Sequence, residues 1–449
     1  MNFLPVDWTA DYDGWIAVVA ILAAASCAIP GCFLLVRRQS MLGDAVSHAV
    51  LPGIGLGYLI SGTRESSWMF LGAAIAGIAT AVIAQILHAV GRVERNASLG
   101  VVFTTFFALG LLLISQTADT VHLDPSCVLY GQIEYTPLDT MNIGGLDVPR
   151  AAVVLACVFL INAFVVGVLW KELVIASFDP AVARAQGVPP VIVQQLLMVL
   201  VAATCVAAFE SVGSILVVAL LAAPAAVARL LSDRLSRMIP IAIVVAVMAA
   251  ILGQLLALSV PRWIFTGVED ASIAGSIAVV AGALVIVAVV LSPKRGVLAR
   301  AFNVLQLRLR TMEEDVLGTL YRREAEGRTQ ASFREHMHTV GALRGPKHRG
   351  ASWMLPVAIR RLTKRGLLEQ GNEPTLTPGG RREAVSLVRA HRLWEGFFAR
   401  DAAFPPSRWH ERAMDFEHLN DPAVIEQLEA IAGAETTDPQ GRAIPPMEE

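Results

Sequence analysis

Long apolar runs separated by short polar loops fill the chain as far as Leu291, after which the pattern changes to helices with one apolar and one charged face. The runs lie near 15–36, 43–60, 69–90, 99–116, 151–170, 192–209, 212–231, 238–259 and 272–291. Each is close to the roughly 20 residues that a helix needs to cross hydrocarbon. Nine crossings are predicted; the run at 212–231, which contains Pro224, is the one that could instead be re-entrant. The fold expected is an all-α polytopic membrane domain over 1–300, followed by an α-rich domain over 301–449.

Composition and charge sharpen this division. Hydrophobic residues make up 55% of the chain and charged residues only 16%, and 24 of the 36 Lys and Arg residues fall after Ser292. Arg37 and Arg38, Arg92 and Arg95, Lys171 and Arg184, Arg229 with Arg234 and Arg237, and Lys294 with Arg295 occupy alternate loops. The intervening loops carry only Arg64, Arg150 and Arg262. The positive-inside rule then puts the N-terminus outside and the C-terminal domain in the cytoplasm. The five cysteines form no C-x-x-C pair, and all but Cys127 lie in apolar runs, which argues against a zinc ribbon or a disulfide framework. Asp7, Asp11 and Asp13 precede the first run where a signal peptide would be basic, so Trp15 to Val36 is read as a retained span.

The most telling chemistry is Gly43-Asp44-Ala45-Val46-Ser47-His48, a carboxylate and an imidazole inside a predicted span. Ionisable groups in hydrocarbon are costly and mark solute paths. Asp44 and His48 are four residues apart, which places both on one helix face where they can share a divalent cation. The competing reading has Asp44 capping the helix and His48 bonded to a backbone carbonyl. Pro52, Gly53, Gly55 and Gly57 are expected to interrupt this helix, as at transport sites. The segment 119–150 is too polar to span. Its His122 and Asp124 could attract metal, but an acidic docking surface is the plainer reading. Glu210 and Ser211 read as an outer turn, and Gln85 and Gln254 as partners in helix-helix hydrogen bonds.

Four separate stretches resemble the permease family of ABC importers for manganese, zinc and ferrous iron. They are the Gly43–Pro52 segment, Leu99–Phe103 with Phe106–Gly110, Ser177-Phe178-Asp179-Pro180, and Val212–Leu221 with Pro224-Ala225-Ala226. The resemblance implies a dimer of permease chains (homodimer or related subunit), a pair of ABC ATPase subunits and an extracytoplasmic metal-binding protein, in a bacterial cytoplasmic membrane. The chain has no G-x-x-x-x-G-K-[ST] loop, so it is not itself the ATPase and no enzymatic activity is expected of it. Asp179, Pro180 and Gly187 have the order of a cap, a first-turn proline and a helix stop. By resemblance this short helix, with Phe178 and Ala183, couples to the ATPase. No permanent cofactor is expected. A divalent transition metal is the expected substrate and a possible regulatory ligand, with the lipid bilayer as the surrounding partner.

The last third is similar to the iron- and manganese-dependent repressors of the DtxR/MntR type. Val357–Glu369, Pro374–Arg381, Leu387–Glu395, Glu411–Leu419 and the ending Asp438–Pro445 carry the resemblance, which predicts a helix closing at Gly366, a short hairpin and another helix in a winged-helix arrangement. It implies one cation position at His391, Glu395 and His410 and another at Asp315, Glu417 and His418, with Met414 where a carboxylate or thiol would be expected. DNA is not an expected partner, because Pro356 is read as a mid-helix proline in the would-be recognition helix and the membrane tether restricts access to operators. The other function class kept open is a membrane-anchored metal-dependent transcription regulator.

Overall fold

The computed structural model describes residues 11–39, 49–61, 66–117, 133–264, 271–326, 353–369, 373–400, 409–416, 422–432 and 436–446, and the single positions 9, 43, 45, 131, 371, 405 and 418. These residues belong to two compact units, Met1–Ala299 and Arg300–Glu449.

The first unit is built from α1 (Asp13–Val36), α2 (Leu51–Ser61), α3 (Ser66–Gly91), α4 (Arg95–Thr117), a 3-10 turn (Ile133–Leu138), a hairpin of β1 (Thr140–Ile143) and β2 (Leu146–Pro149), and seven more helices. These are α5 (Arg150–Val168), α6 (Trp170–Phe178), α7 (Pro180–Ala185), α8 (Pro190–Val212), α9 (Ser214–Leu231), α10 (Leu235–Ile264) and α11 (Ile273–Leu291). Among the described residues, seven helices are long and apolar enough to cross a membrane: α1, α3, α5, α8, α9, α10 and α11. The runs at 43–60 and 99–116 contain shorter apolar helical stretches, Leu51–Ser61 and Ala97–Leu113. The run at 212–231 is one continuous helix from Ser214, through Pro224.

The interruption expected over Pro52–Gly57 does not occur there. A turn at Val50 precedes one helix, Leu51–Ser61. Pro52 occupies its first turn, where the missing N–H has no intrahelical acceptor to lose. The glycines instead let backbones meet: a Cβ on Gly53 would lie 2.1 Å from the carbonyl oxygen of Gly72 on α3. Close approach through small residues is the usual means of packing helices in lipid, where burial adds little driving force.

Helix α1 is the hub and packs against α5, α8, α9 and α10. Its Val19, Ala23, Ala24, Cys27, Ala28, Cys32 and Phe33 are inaccessible. At Gly31 it meets α9 so closely that a Cβ would lie 2.2 Å from the Leu221 carbonyl oxygen. A neutral polar chain ties α1, α5 and α8 together. Asn162 Nδ2 donates to Thr204 Oγ1 (2.8 Å) and to the Ser26 carbonyl (3.2 Å), while Ser26 Oγ donates to the Leu155 carbonyl. Gln254 makes the helix-helix bond expected of it, donating to the Asp13 carbonyl at 2.9 Å. Glu210 and Ser211 lie in the last turn of α8, and the turn itself is made by Gly213 at φ +79°.

The hairpin of β1 and β2 was not anticipated. Thr140 pairs with Pro149 and Ile143 with Leu146, so Gly144 and Gly145 form a two-residue loop, both at positive φ. Such a loop matches the twist of paired strands, and glycine is the residue that enters it without strain.

The second unit holds α12 (Val297–Glu326), which begins three residues before it, α13 (Met354–Lys364), α14 (Pro378–Arg400), α15 (Trp409–Phe416) and α16 (Pro422–Ala432). Helix α13 ends at Gly366, φ +74°, with the Leu367 N–H bonded to the Leu362 carbonyl at 3.0 Å. A short hairpin follows, bridged between Leu368 and Leu376, and leads into α14. The predicted helix, hairpin, helix order is thus present over 354–400. Pro356, however, lies in the first turn of α13 rather than its middle. It breaks no helical hydrogen bond there, so the argument it supplied against DNA contact fails.

Candidate metal centre

Helix α14 carries His391 and Glu395 on one face because they are four residues apart; α15 brings His410 against them. His410 Nδ1 lies 2.7 Å from Glu395 Oε1, His391 Nε2 lies 3.3 Å from the same oxygen, and the two ring nitrogens are 3.1 Å apart. The imidazoles meet edge to face with centroids 4.9 Å apart. His391 and Glu395 are buried, whereas the His410 side chain is 41% exposed and gives the cluster its opening to solvent.

The donor set has the spacing of a cation site. Ligand atoms about 2.1 Å from a metal and at right angles to one another lie about 3 Å apart. One carboxylate oxygen and two imidazole nitrogens suit Mn²⁺, Fe²⁺ or Zn²⁺, with the remaining positions open to water or a further ligand. This is the one group of three or more His, Cys, Asp or Glu among the described residues that brings its donor atoms within 4.8 Å of one another.

Glu395 is prepared for this role by the C-terminal turn. Its second oxygen, Oε2, accepts from Arg442 Nη2 at 2.7 Å, which leaves Oε1 to face the imidazoles. Arg442 is fixed in turn by Asp438, whose carboxylate accepts from Arg442 Nε (2.7 Å), Arg442 N (2.8 Å) and Gln440 N (3.0 Å). Burial alone would push the Glu395 carboxyl up, but hydrogen bonds from His391 and His410 and the nearby positive charges outweigh it. The group is held far below the usual carboxylate range and stays ionised at neutral pH. Arg442 and Asp438 were not named as contributors to the site, although both fall in the Asp438–Pro445 ending that carries the repressor resemblance.

Of the second set, Asp315 and His418 are among the described residues. His418 Nδ1 pairs with Glu314 Oε2, and its Nε2 is 3.8 Å from Asp315 Oδ1. Glu314, not named in the sequence reading, is therefore nearer than Asp315. Burial pushes the Glu314 carboxyl up, yet hydrogen bonds with His418 and with Arg310, whose Nε is 3.0 Å away, bring it below the usual range. Glu417 lies outside the described residues. Asp44 and His48 of the first unit also lie outside them, as do His122 and Asp124.

In the first unit, the predicted short helix is α7. Asp179 caps it, its carboxylate accepting from Ala181 N (2.9 Å) and Val182 N (3.0 Å); Pro180 is its first residue, and Gly187 follows it at φ +79°. Ala183 is buried and anchors the helix, while Phe178 and Val182 stand exposed beside it. Its base is braced by Arg37 at the end of α1, which donates to Ser177 Oγ at 2.9 Å.

The model of the ABC 3 transport family matches residues 14–292. The chain belongs to this family. It is 38% identical over 297 residues to the manganese transport system membrane protein MntD of Bacillus subtilis, spanning 66% of this chain and 97% of that one. It is 39% identical over 294 residues to the zinc transport system membrane protein TroD of Treponema pallidum, spanning 66% and 78%. Among solved structures, PsaBC from Streptococcus pneumoniae in complex with Fab is similar, with TM-score 0.52 and 28% identity over 63% of this chain and 93% of that one. A second model, the iron dependent repressor metal binding and dimerisation domain, matches residues 377–446. That range contains His391, Glu395, His410 and Arg442.

Proposed function

We propose that this chain is the membrane-spanning permease subunit of an ABC importer for a divalent transition metal, Mn²⁺, Zn²⁺ or Fe²⁺. The observation that carries the reading is the 38% identity to MntD over nearly all of that protein. An extracytoplasmic binding protein delivers the metal, a second permease chain completes the pathway, and separate ATPase subunits supply energy through α7. The exposed Phe178 and Val182 on a helix anchored by Ala183 suit such a contact. Asp44 and His48 line the path as two ligands per chain, few enough that the ion leaves again. Residues 301–449 lie in the cytoplasm and respond to accumulated metal through His391, Glu395 and His410, with Asp315, Glu417 and His418 as the second set and Glu314 beside them.

The test is ATP-dependent uptake into vesicles holding the chain with its ATPase and supplied with loaded binding protein. Accumulation of labelled manganese, zinc or iron that requires ATP on the ATPase side is the expected result. No accumulation of any of the three, together with Mn²⁺-dependent retention of specific DNA by the full chain, would replace this reading with that of a membrane-anchored metal-dependent regulator.

A further inference from the structure

Helix α12 carries an apolar stripe that is covered over only part of its length. Leu298, Phe302, Leu305, Leu309, Met312 and Val316 recur at alternating spacings of four and three, which keeps them on one side of a helix. From Leu309 onward the stripe is sunk into the second unit, with Leu309 and Val316 buried. Before Leu309 it is largely uncovered: Leu305 is half-buried, but Leu298 is 55% exposed and Phe302 59%, and Val297 and Val304 are exposed as well.

This stretch starts six residues after Leu291, the end of the last apolar helix, so the covalent chain keeps it close to the bilayer surface. The connection is tight. Ser292 Oγ donates to the Leu230 carbonyl at 2.7 Å, and a Cβ on Gly296 would lie 2.3 Å from the Ser292 carbonyl oxygen. Charge along it has a single sign. No Asp or Glu occurs between Asp270 and Glu313, while Lys294, Arg295, Arg300, Arg308 and Arg310 all do. Asp233 takes Arg295 and Glu314 takes Arg310. Lys294, Arg300 and Arg308 are exposed and have no ion pair among the described residues.

We propose that the first three turns of α12 form an interfacial binding surface for anionic phospholipid, with Leu298, Phe302 and Leu305 in the acyl boundary and Lys294, Arg300 and Arg308 on headgroup phosphates. The surface has the two attributes such helices need, apolar area and unneutralised basic charge next to a span. The exposed Lys294, Arg300 and Arg308 have no carboxylate near them in sequence, and anionic lipid supplies the missing counter-charge. The inference rests on the proposed membrane reading, with the C-terminal domain on the cytoplasmic side.

The test places a photoreactive benzoyl-phenylalanine at position 302 of the full chain, and separately at Ile286, an exposed position of α11. Each protein is irradiated in vesicles of phosphatidylcholine with or without phosphatidylglycerol. The expected result is a phospholipid adduct at 302 that favours phosphatidylglycerol several-fold, a preference abolished by Arg300→Glu with Arg308→Glu. Adducts at 286 but none at 302, adducts at 302 without lipid preference, or chain-to-chain crosslinks at 302 would each overturn the lipid surface while leaving the span intact. Failure at both positions would overturn the membrane reading itself.

Discussion

Asn162 and Glu395 are almost equally buried, at 2% and 1% exposure, yet they use burial differently. Asn162 in the first unit is neutral, and its amide is spent on Thr204 and a backbone carbonyl, so the chain Ser26, Asn162, Thr204 holds three helices together and leaves no charge behind. Glu395 in the second unit is ionised, surrounded by two imidazoles and a guanidinium, one of whose imidazoles reaches solvent. A neutral network in an apolar bundle is glue, while a charged carboxylate enclosed by exchangeable donors is a place where a cation can substitute for a proton. Among the described residues, the one close cluster of candidate ligands lies in the second unit.

Of the substitutions that probe this contrast, Glu395→Ala produces the largest loss. It strands Arg442 and both imidazoles, and breaking a buried ion pair costs about 3 kcal/mol or more. Denaturant unfolding of the second unit measures it, and calorimetric titration with Mn²⁺ should show the site's binding lost as well. The isosteric Glu395→Gln tells folding from ligation, since it keeps the shape and removes the charge: binding falls while the unit remains folded. Next comes Gly31→Val, which forces α1 and α9 apart at the Leu221 carbonyl and costs about 2 kcal/mol; thermal inactivation in detergent is the readout. Asn162→Ala should be milder, about 1 kcal/mol, as is usual for hydrogen bonds between membrane helices. A loss as large as that of Glu395→Ala would erase the distinction drawn between the two sites. Smallest is Ser177→Ala, which removes the brace from Arg37 to the base of α7. It should leave stability within about 1 kcal/mol of the parent while reducing ATP-coupled uptake.

How legible these features were depended on their range along the chain. The apolar runs are local, and every one contains helix. Asp179, Pro180 and Gly187 are also local, and the cap they spell is present atom for atom. His391, Glu395 and His410 were readable through the resemblance, and the four-residue spacing of the first two is consistent with it. Arg442 lies 47 residues from Glu395, and Glu314 lies 104 from His418; no period or spacing announces a contact made by folding the chain back. Two local signals were misweighed. Pro356 reads as mid-helix only while the helix start is unknown; with Met354 as the first residue it falls in the first turn. Gly144-Gly145 went unread because four-residue strands are too short to show alternation.

The central claim is that metal crosses through the first unit and is read by the second. Initial rates of radioactive manganese uptake, in vesicles with the partner ATPase and binding protein, test it most directly when Asp44→Ala, His48→Ala and Glu395→Gln are compared side by side. The account predicts that the first two variants lose most of the uptake, whereas Glu395→Gln keeps the initial rate and no longer slows as internal metal rises. Unchanged uptake in both Asp44→Ala and His48→Ala would contradict it.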